Sequence, residues 1–427
     1  MIGGSKKVKR IKILDCTLRD GGYINDWRFG YSVIKSLIKK LTLAKIDVIE
    51  CGFLEDGHYD RDRSLFADVD QIGALIPEDR GMSSYVAMTR FGFLDVNNLK
   101  AYDGKSIDGI RVTFHENEVD EAISFCKEIQ AKGYKVYVQP VGTTSYTDQF
   151  LLRLINIVNE IKPHAFYIVD TLGLMKKNDL LRMFYLIDHN LLPDIIIGFH
   201  SHNNLQLSFS NSQELIEMKT KRAITIDSSV YGMGRGAGNL NTELITQYLN
   251  DNTERVYQME YLLEIIDETV KGLKEQYSWG YSVPYYLAAI NNCHPNYATY
   301  LMTRNTLPIK SIGEILESVS PEQRELYNQE YIQELYNQYQ RRRIDDTLVY
   351  KELQNRFRGH KILIVAPGSN IKKQAALIQD YRNTHSCIVI SVNFYSKMIR
   401  PDFCFFSNTK RFQQFLEASE DNINDLF

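Results

Sequence analysis

The chain contains no run of 18 apolar residues, which excludes a membrane-spanning helix. It has no long block of Lys and Arg, and its net charge is −3, so nothing favours a nucleic-acid partner. The basic start (Lys6, Lys7, Lys9, Arg10) is not followed by an apolar core long enough for a signal peptide. Its six cysteines are scattered without C-x-x-C spacing, which fits reduced thiols in a cytoplasm. What remains is a cytoplasmic globular protein, with an ordinary 44% hydrophobic and 24% charged residues. At 427 residues it can hold one large domain of ~250–300 residues and something smaller.

The stretch Ile11 to Tyr23 opens with a β-branched run, Ile11 to Leu14, that reads as a buried strand. It then breaks into Asp15, Arg19 and Asp20, closed by Gly21-Gly22. Two glycines after a charged pair suggest backbone bent tightly around something small. Asp20 offers a hard oxygen ligand for a divalent cation, and Arg19 a permanent charge with a planar fork of donors. A surface turn with an ion pair is the competing reading.

Downstream, short apolar runs alternate with helix-length amphipathic stretches. The runs are Ile11 to Leu14, Val48 to Phe53, Tyr85 to Met88, Gly109 to Thr113, Val136 to Gln139, Ala165 to Val169, Ile195 to Phe199 and Ala223 to Ile226. Helical spacing is expected over Ser32 to Ala44, Glu118 to Lys132, Asp148 to Ile161, Asn178 to His189 and Leu205 to Met218. Strands alternating with helices mean a parallel sheet. Eight such units in this length suggest an α/β fold of the TIM (β/α)8 barrel type, with a doubly wound open sheet as the alternative.

A barrel demands chemistry where strands end. Arg19 and Asp20 follow the first strand, and Glu50 is read as ending the second. Arg111, Thr113 and His115 end the fourth, Gln139 the fifth, and Asp170-Thr171-Leu172-Gly173 the sixth. His200-Ser201-His202-Asn203-Asn204 ends the seventh, and Gly232-Met-Gly-Arg-Gly-Ala-Gly-Asn239 follows the eighth. His200 and His202, two apart on a strand, point to one face. With Asp20 they make a two-His-one-carboxylate set suited to Mn²⁺, Mg²⁺, Fe²⁺ or Zn²⁺, with open positions for a chelating substrate. Asn239 is a candidate fourth ligand; a turn residue in a Gly-rich loop is its other reading. That loop lacks the strand-to-helix context of a dinucleotide fingerprint.

Asp15-x-Thr17-Leu18-Arg19-Asp20-Gly21, Glu50, His200-x-His202 and Gly236-Ala237-Gly238-Asn239 together resemble the DRE-TIM metallolyases. That superfamily includes 4-hydroxy-2-oxovalerate aldolase, HMG-CoA lyase and the isopropylmalate and homocitrate synthases, and the resemblance covers roughly residues 8 to 300. It implies that Asp20, His200 and His202 bind a divalent metal, Mn²⁺ or Mg²⁺ ahead of Zn²⁺, with Asn239 nearby. It implies that Arg19 steadies an enolate oxygen, that Glu50 braces Arg19, and that Thr171 touches a substrate carboxylate or oxyanion. The aldolase branch is the better match, since the loop has Arg235 where HMG-CoA lyase carries a cysteine, and Arg111-Val-Thr-Phe-His115 looks like the aldolase stretch. The oxovalerate aldolases place a histidine base where this chain has Tyr23. A free phenol is ionised in only about one molecule in a thousand at pH 7, so Tyr23, His115, His58 and a metal-bound water are all candidates for the base. The implied reaction is cleavage or formation of a 4-hydroxy-2-oxo acid through a pyruvate enolate, with a 2-oxo acid and an aldehyde as partners. A Claisen-type acyl-CoA synthase and a degenerate barrel serving as a binding module are the alternatives.

The barrel is expected over residues 8–280, a helical extension over 281–358 and a small α/β domain over 359–427. The segment from Tyr281 to Tyr297 is expected to pack over the barrel mouth. Tyr281 and Gln139 are candidate substrate contacts there, and His294 reads either as reaching the site or as an interfacial histidine. Tyr327, Tyr331, Leu335 and Tyr339 form one face of a helix expected over Pro321 to Arg343, a stripe suggesting packing or a homo-oligomer contact. After Gly359, Lys361 to Asn370 reads as strand and turn, then helix (Ile371 to Tyr381), with strands at Ile388 to Val392 and Phe403 to Phe406. This looks like half of a Rossmann-like domain, whose Pro-Gly-Ser-Asn turn suits a phosphate at a helix N-terminus.

Overall fold

The computed structural model describes residues 11–324, 326–341 and 346–418. The basic start, barrel residues 8–10, Arg343 and residues 419–427 of the expected α/β domain lie outside the described residues. The chain divides into two compact units, the first ending at Pro295 and the second beginning at Asn296. The first therefore runs past residue 280 and keeps the helix Val283–Ile290, whose Pro284, Tyr285, Ala288 and Ala289 are buried.

The first unit is a closed parallel barrel. Its strands are β1 (Ile11–Asp15), β2 (Val48–Leu54), β3 (Ser84–Arg90), β4 (Gly109–Phe114), β5 (Lys135–Pro140), β6 (Ala165–Asp170), β7 (Ile196–Ser201) and β8 (Ile224–Ser228). Around the barrel they follow chain order, and β1 pairs both with β2 (Leu14 beside Val48) and with β8 (Leu14 beside Asp227). That closure excludes the open doubly wound sheet. A two-residue strand, Leu65–Phe66, adds to β2 outside the ring.

Helices α1 (Tyr31–Leu43), α2 (Val69–Gly73), α3 (Val119–Ala131), α4 (Asp148–Ile161), α5 (Lys177–Asn190), α6 (Ser208–Glu217) and α7 (Thr242–Asn252) wrap the barrel. Between β3 and β4 only a 3₁₀ turn, Val96–Asn98, appears. The helix α4 shows how the sequence sets these limits. The Thr147 hydroxyl caps its start by accepting from Phe150 N at 3.2 Å, and the left-handed Lys162 (φ 48°) stops it. Leu151, Leu154, Ile155 and Val158 recur at helical spacing and are buried, each worth roughly 1.5–3 kcal/mol.

Alternate strand residues face the barrel interior. At its base Leu14, Val48, Val86, Tyr137, Ala165, Tyr167 and Ile196 pack as one apolar cluster. One level up the inward residues are charged, namely Glu50, Arg111 and Asp227. This corrects the reading of Glu50 and Arg111 as strand-end residues. Each is the third residue of its strand and fully enclosed, because both strands continue toward the mouth. Gln139 likewise lies inside β5, and its amide oxygen accepts from Arg111 Nε at 3.1 Å.

The second unit has a helical part and a three-stranded parallel sheet. The tyrosine helix spans Gln329–Gln340, not Pro321 to Arg343, because Asn328 caps it by accepting from Tyr331 N at 3.1 Å. Tyr327 precedes it, and Pro321 opens a separate 3₁₀ turn. The stripe bonds within the unit: Tyr331 Oη accepts from Ser320 N, and Tyr339 Oη donates to Ser311 Oγ. The sheet comprises β9 (Ile362–Val365), β10 (Ile388–Val392) and β11 (Phe403–Phe405), with the helix Ile371–His385 crossing between the first two. Among the described residues no helix is long and apolar enough to cross a membrane.

Candidate active site

The mouth of the barrel above β1, β8 and β7 gathers the four residues read as metal ligands. One ligand atom from each of Asp20, His200 and His202 lies within 4.8 Å of the others. Asp20 sits in the turn after β1, His200 is the fifth residue of β7, and His202 follows it in an isolated bridge with Asn239. The two imidazoles stand perpendicular, 5.1 Å apart. Each has Nδ1 engaged: His200 with Asp227 Oδ2 at 3.0 Å, His202 with the Asp170 carbonyl at 3.1 Å. Both therefore turn Nε2 to the shared space, and His202 Nε2 stands 3.5 Å from Asp20 Oδ2.

Asn239 Nδ2 donates to Asp20 Oδ2 at 2.7 Å and to the Met233 carbonyl at 3.1 Å, while its Oδ1 is buried with no partner. An enclosed amide oxygen costs free energy unless something satisfies it. A hard divalent cation does so, and two imidazoles, a carboxylate and that oxygen fit one. The loop reaches this close because residue 234 is glycine; a Cβ there would stand 2.5 Å from Asn239 Nδ2 and 3.2 Å from Asp20 Oδ2.

Burial opposes ionisation of Asp20, but Arg19 and the two histidines outweigh it and hold this carboxyl well below the usual range. Burial lowers His200, keeping it neutral and able to ligate. Asp227 follows the pattern of Asp20, with Arg111 and His200 offsetting its burial. Arg19 gives Nε to Glu50 Oε2 at 2.8 Å and Nη1 to Asp20 Oδ1 at 2.5 Å. Glu50 Oε1 lies 2.9 Å from Arg111 Nη1, and Arg111 Nη2 pairs with Asp227. An alternating chain of charges thus runs from Asp20 through Arg19, Glu50 and Arg111 to Asp227, which holds His200, beneath the mouth.

The remaining candidates scatter. Thr171 follows β6 and accepts from Gly142 N at 2.8 Å. His115 is exposed, beginning the 3₁₀ turn Glu116–Glu118, with its N–H donated to Glu118 at 2.7 Å. Tyr281 is 57% exposed and, among the described residues, makes no hydrogen bond to this cluster. His58 is exposed as well. The Tyr23 ring packs edge-on against Trp27 (4.7 Å) with the Arg235 guanidinium over it at 4.9 Å. His294 is buried, which lowers it to about 3 with help from the charges of Arg235 and His202. The glycine pair bends around the protein's own side chains: a Cβ on Gly22 would stand 2.1 Å from the Trp27 ring, and one on Gly21 3.1 Å from Met233. Asp227 went unread, although an acid at an inward position of a buried strand (Ile-Thr-Ile-Asp-Ser) was the signal for it.

Residues 108–267 match the HMGL-like family model. Among relatives, the chain is 27% identical over 248 residues to a 4-hydroxy-2-oxovalerate aldolase of Pseudoalteromonas translucida, covering 57% of this chain and 71% of that one. It is 26% identical to an oxaloacetate decarboxylase of Mycobacterium tuberculosis, covering 56% and 69%. Among solved structures it resembles the N-terminal domain of a candidate aldolase from Bacteroides vulgatus (TM-score 0.57, 28% identity, 68% of this chain and 96% of that one). In fold it also resembles an HMG-CoA lyase of Brucella melitensis (TM-score 0.50, 15% identity, 62% and 99%). The stretch from β4 to beyond α7 is thus similar to the HMGL-like family, and it carries His200 and His202, which meet Asp20 at the mouth.

Proposed function

We propose that the protein is a divalent-metal-dependent carbon–carbon lyase that cleaves or forms a 4-hydroxy-2-oxo acid through a pyruvate enolate. The observation that carries this is the third nitrogen of Arg19. Glu50 takes Nε and Asp20 takes Nη1, while Nη2 has no protein acceptor among the described residues. A rigidly held, unspent guanidinium edge beside a metal-ligand set suits an oxyanion that develops during reaction.

Asp20, His200, His202 and Asn239 would hold the ion, which supplies Lewis acidity toward a chelating 2-oxo acid. Arg19 then stabilises the enolate oxygen as the C3–C4 bond breaks. Glu50 fixes the plane of Arg19, and Asp227 fixes the ring of His200. A base takes the 4-hydroxyl proton, and a proton returned to C3 completes pyruvate. Tyr23, three residues after Asp20 and beneath the Arg235 guanidinium, is the candidate for this proton transfer. Loss of CO₂ from oxaloacetate yields the same enolate, and a relative named for that reaction supports it as a second reading.

The test is deuterium exchange into the pyruvate methyl group, followed by proton NMR in D₂O with Mn²⁺ or Mg²⁺. Exchange is expected, and is expected to stop with EDTA and in His200→Ala. Exchange of acetyl-CoA protons only after a 2-oxo acid is added would replace this reading with a condensing synthase. Silence toward both, without bound metal, would indicate a binding module.

A further inference from the structure

Of three arginines in and around the ligand cluster, two are paired with carboxylates. Arg19 is held by Glu50 and Asp20, and Arg111 by Glu50, Asp227 and Gln139. Arg235 is not. It is half-buried, lies over the face of Tyr23, and among the described residues its guanidinium has neither an ion pair nor a hydrogen bond. Its place is set by its neighbours, since Gly234 lies against Asp20 and Asn239, and a Cβ on Gly236 would meet Asn204 Oδ1 at 3.6 Å. Arg235 therefore projects from a loop anchored to the ligand set.

A half-desolvated guanidinium without a counter-charge is costly unless its ligand supplies one.

We propose that Arg235 receives a second anionic group of the substrate. Resting on the enolate reading above, this makes the substrate a 2-oxo acid bearing a carboxylate or phosphate on the part that leaves as the aldehyde. In cleavage, the 4-hydroxyl proton passes to the base and the C3–C4 electron pair enters the enolate. The anionic aldehyde departs on Arg235, and protonation at C3 gives pyruvate. Guanidinium suits both acceptors through its planar fork.

The test is carbon–carbon bond formation between pyruvate and matched aldehydes, namely succinic semialdehyde against butanal, and glyceraldehyde 3-phosphate against glyceraldehyde. The anionic member of at least one pair is expected to have a tenfold or greater advantage in kcat/KM, and the favoured pair identifies the group. Arg235→Ala is expected to reduce that ratio at least tenfold, with Arg235→Lys restoring part of it. Calorimetric dissociation constants for 2-oxoglutarate against 2-oxopentanoate should shift in the same sense. Thermal midpoints of both variants establish that they are folded. Equal rates for charged and neutral aldehydes, or a preference that survives Arg235→Ala, overturns the assignment to Arg235 alone. Absence of deuterium exchange into pyruvate with the unaltered protein overturns the enolate reading, and this one with it.

Discussion

The barrel and the three-stranded sheet of the second unit use the same local grammar of strand, turn, helix and parallel strand, yet they treat charge differently. In the barrel the strands close, and Glu50, Arg111 and Asp227 face one another with no contact with water. In the small sheet one face packs Val365 and Val389 against Ala375, while the other leaves Ile362 45% and Ile364 66% exposed. Its ion pair, Arg382 with Asp402, is partly solvated. Closure creates an interior below the strand ends where charges must satisfy each other, and such an interior holds an ion pair in one geometry.

Substitution at the two arginines tests this difference most strongly. Arg111→Met removes the buried guanidinium shared by Glu50 and Asp227 and is expected to cost about 3–5 kcal/mol. Arg382→Met should cost at most ~1 kcal/mol. Denaturant unfolding of the two variants measures both, and similar costs would remove the distinction.

The next effect is one of pH. Burial raises Asp15 from 3.8 to about 6, against the opposing hydrogen bonds from Thr242 and Thr17. Because the folded-state value is the higher one, this group's contribution to stability is fully present below about pH 4 and is lost as the pH rises through 6. At 1.36 kcal/mol per unit that amounts to about 3 kcal/mol. Asp15→Asn should flatten the fall in thermal midpoint between pH 4 and 6, and an unchanged slope would show that Asp15 is not its source. Asp20 and Asp227, held low, act in the opposite sense at lower pH.

The smallest effects belong to the two faces of the second sheet. Val389→Ala should cost about 2 kcal/mol through the cavity it leaves. Ile364→Ser should change stability by no more than ~0.5 kcal/mol. An equally large cost at Ile364 would show that its face is covered in solution.

The eight strands were legible because each is a short β-branched run between helices of clear period, and α4 was read to the residue. Boundaries drifted where side-chain caps decided them, as at Asn328, which caps a tyrosine helix that begins at Gln329, eight residues after the expected Pro321. The helix expected from Leu205 begins at Ser208. The Asp20, His200 and His202 set was legible too, since H-x-H on a strand turns both rings to one face and only a barrel brings β7 within reach of β1. His115, Gln139 and Tyr281 were read from their positions alone, and position does not reveal that His115 opens a turn or that Gln139 faces Arg111.

By itself, then, the sequence determined the parallel β/α alternation, the strand that each candidate ligand lies on or follows, and the presence of a two-His-one-carboxylate set. These follow from periodicity and residue chemistry, which are local. Only the tertiary structure decided that Glu50 and Arg111 lie inside the barrel rather than on its rim. It alone joined Asp227 to His200 across 27 residues and Arg111 to Asp227 across 116, and left the Arg235 guanidinium over Tyr23 without a counter-charge among the described residues. Those facts depend on which side chains meet once the barrel closes, and whether a charge is paired or bare is settled by neighbours remote in the chain.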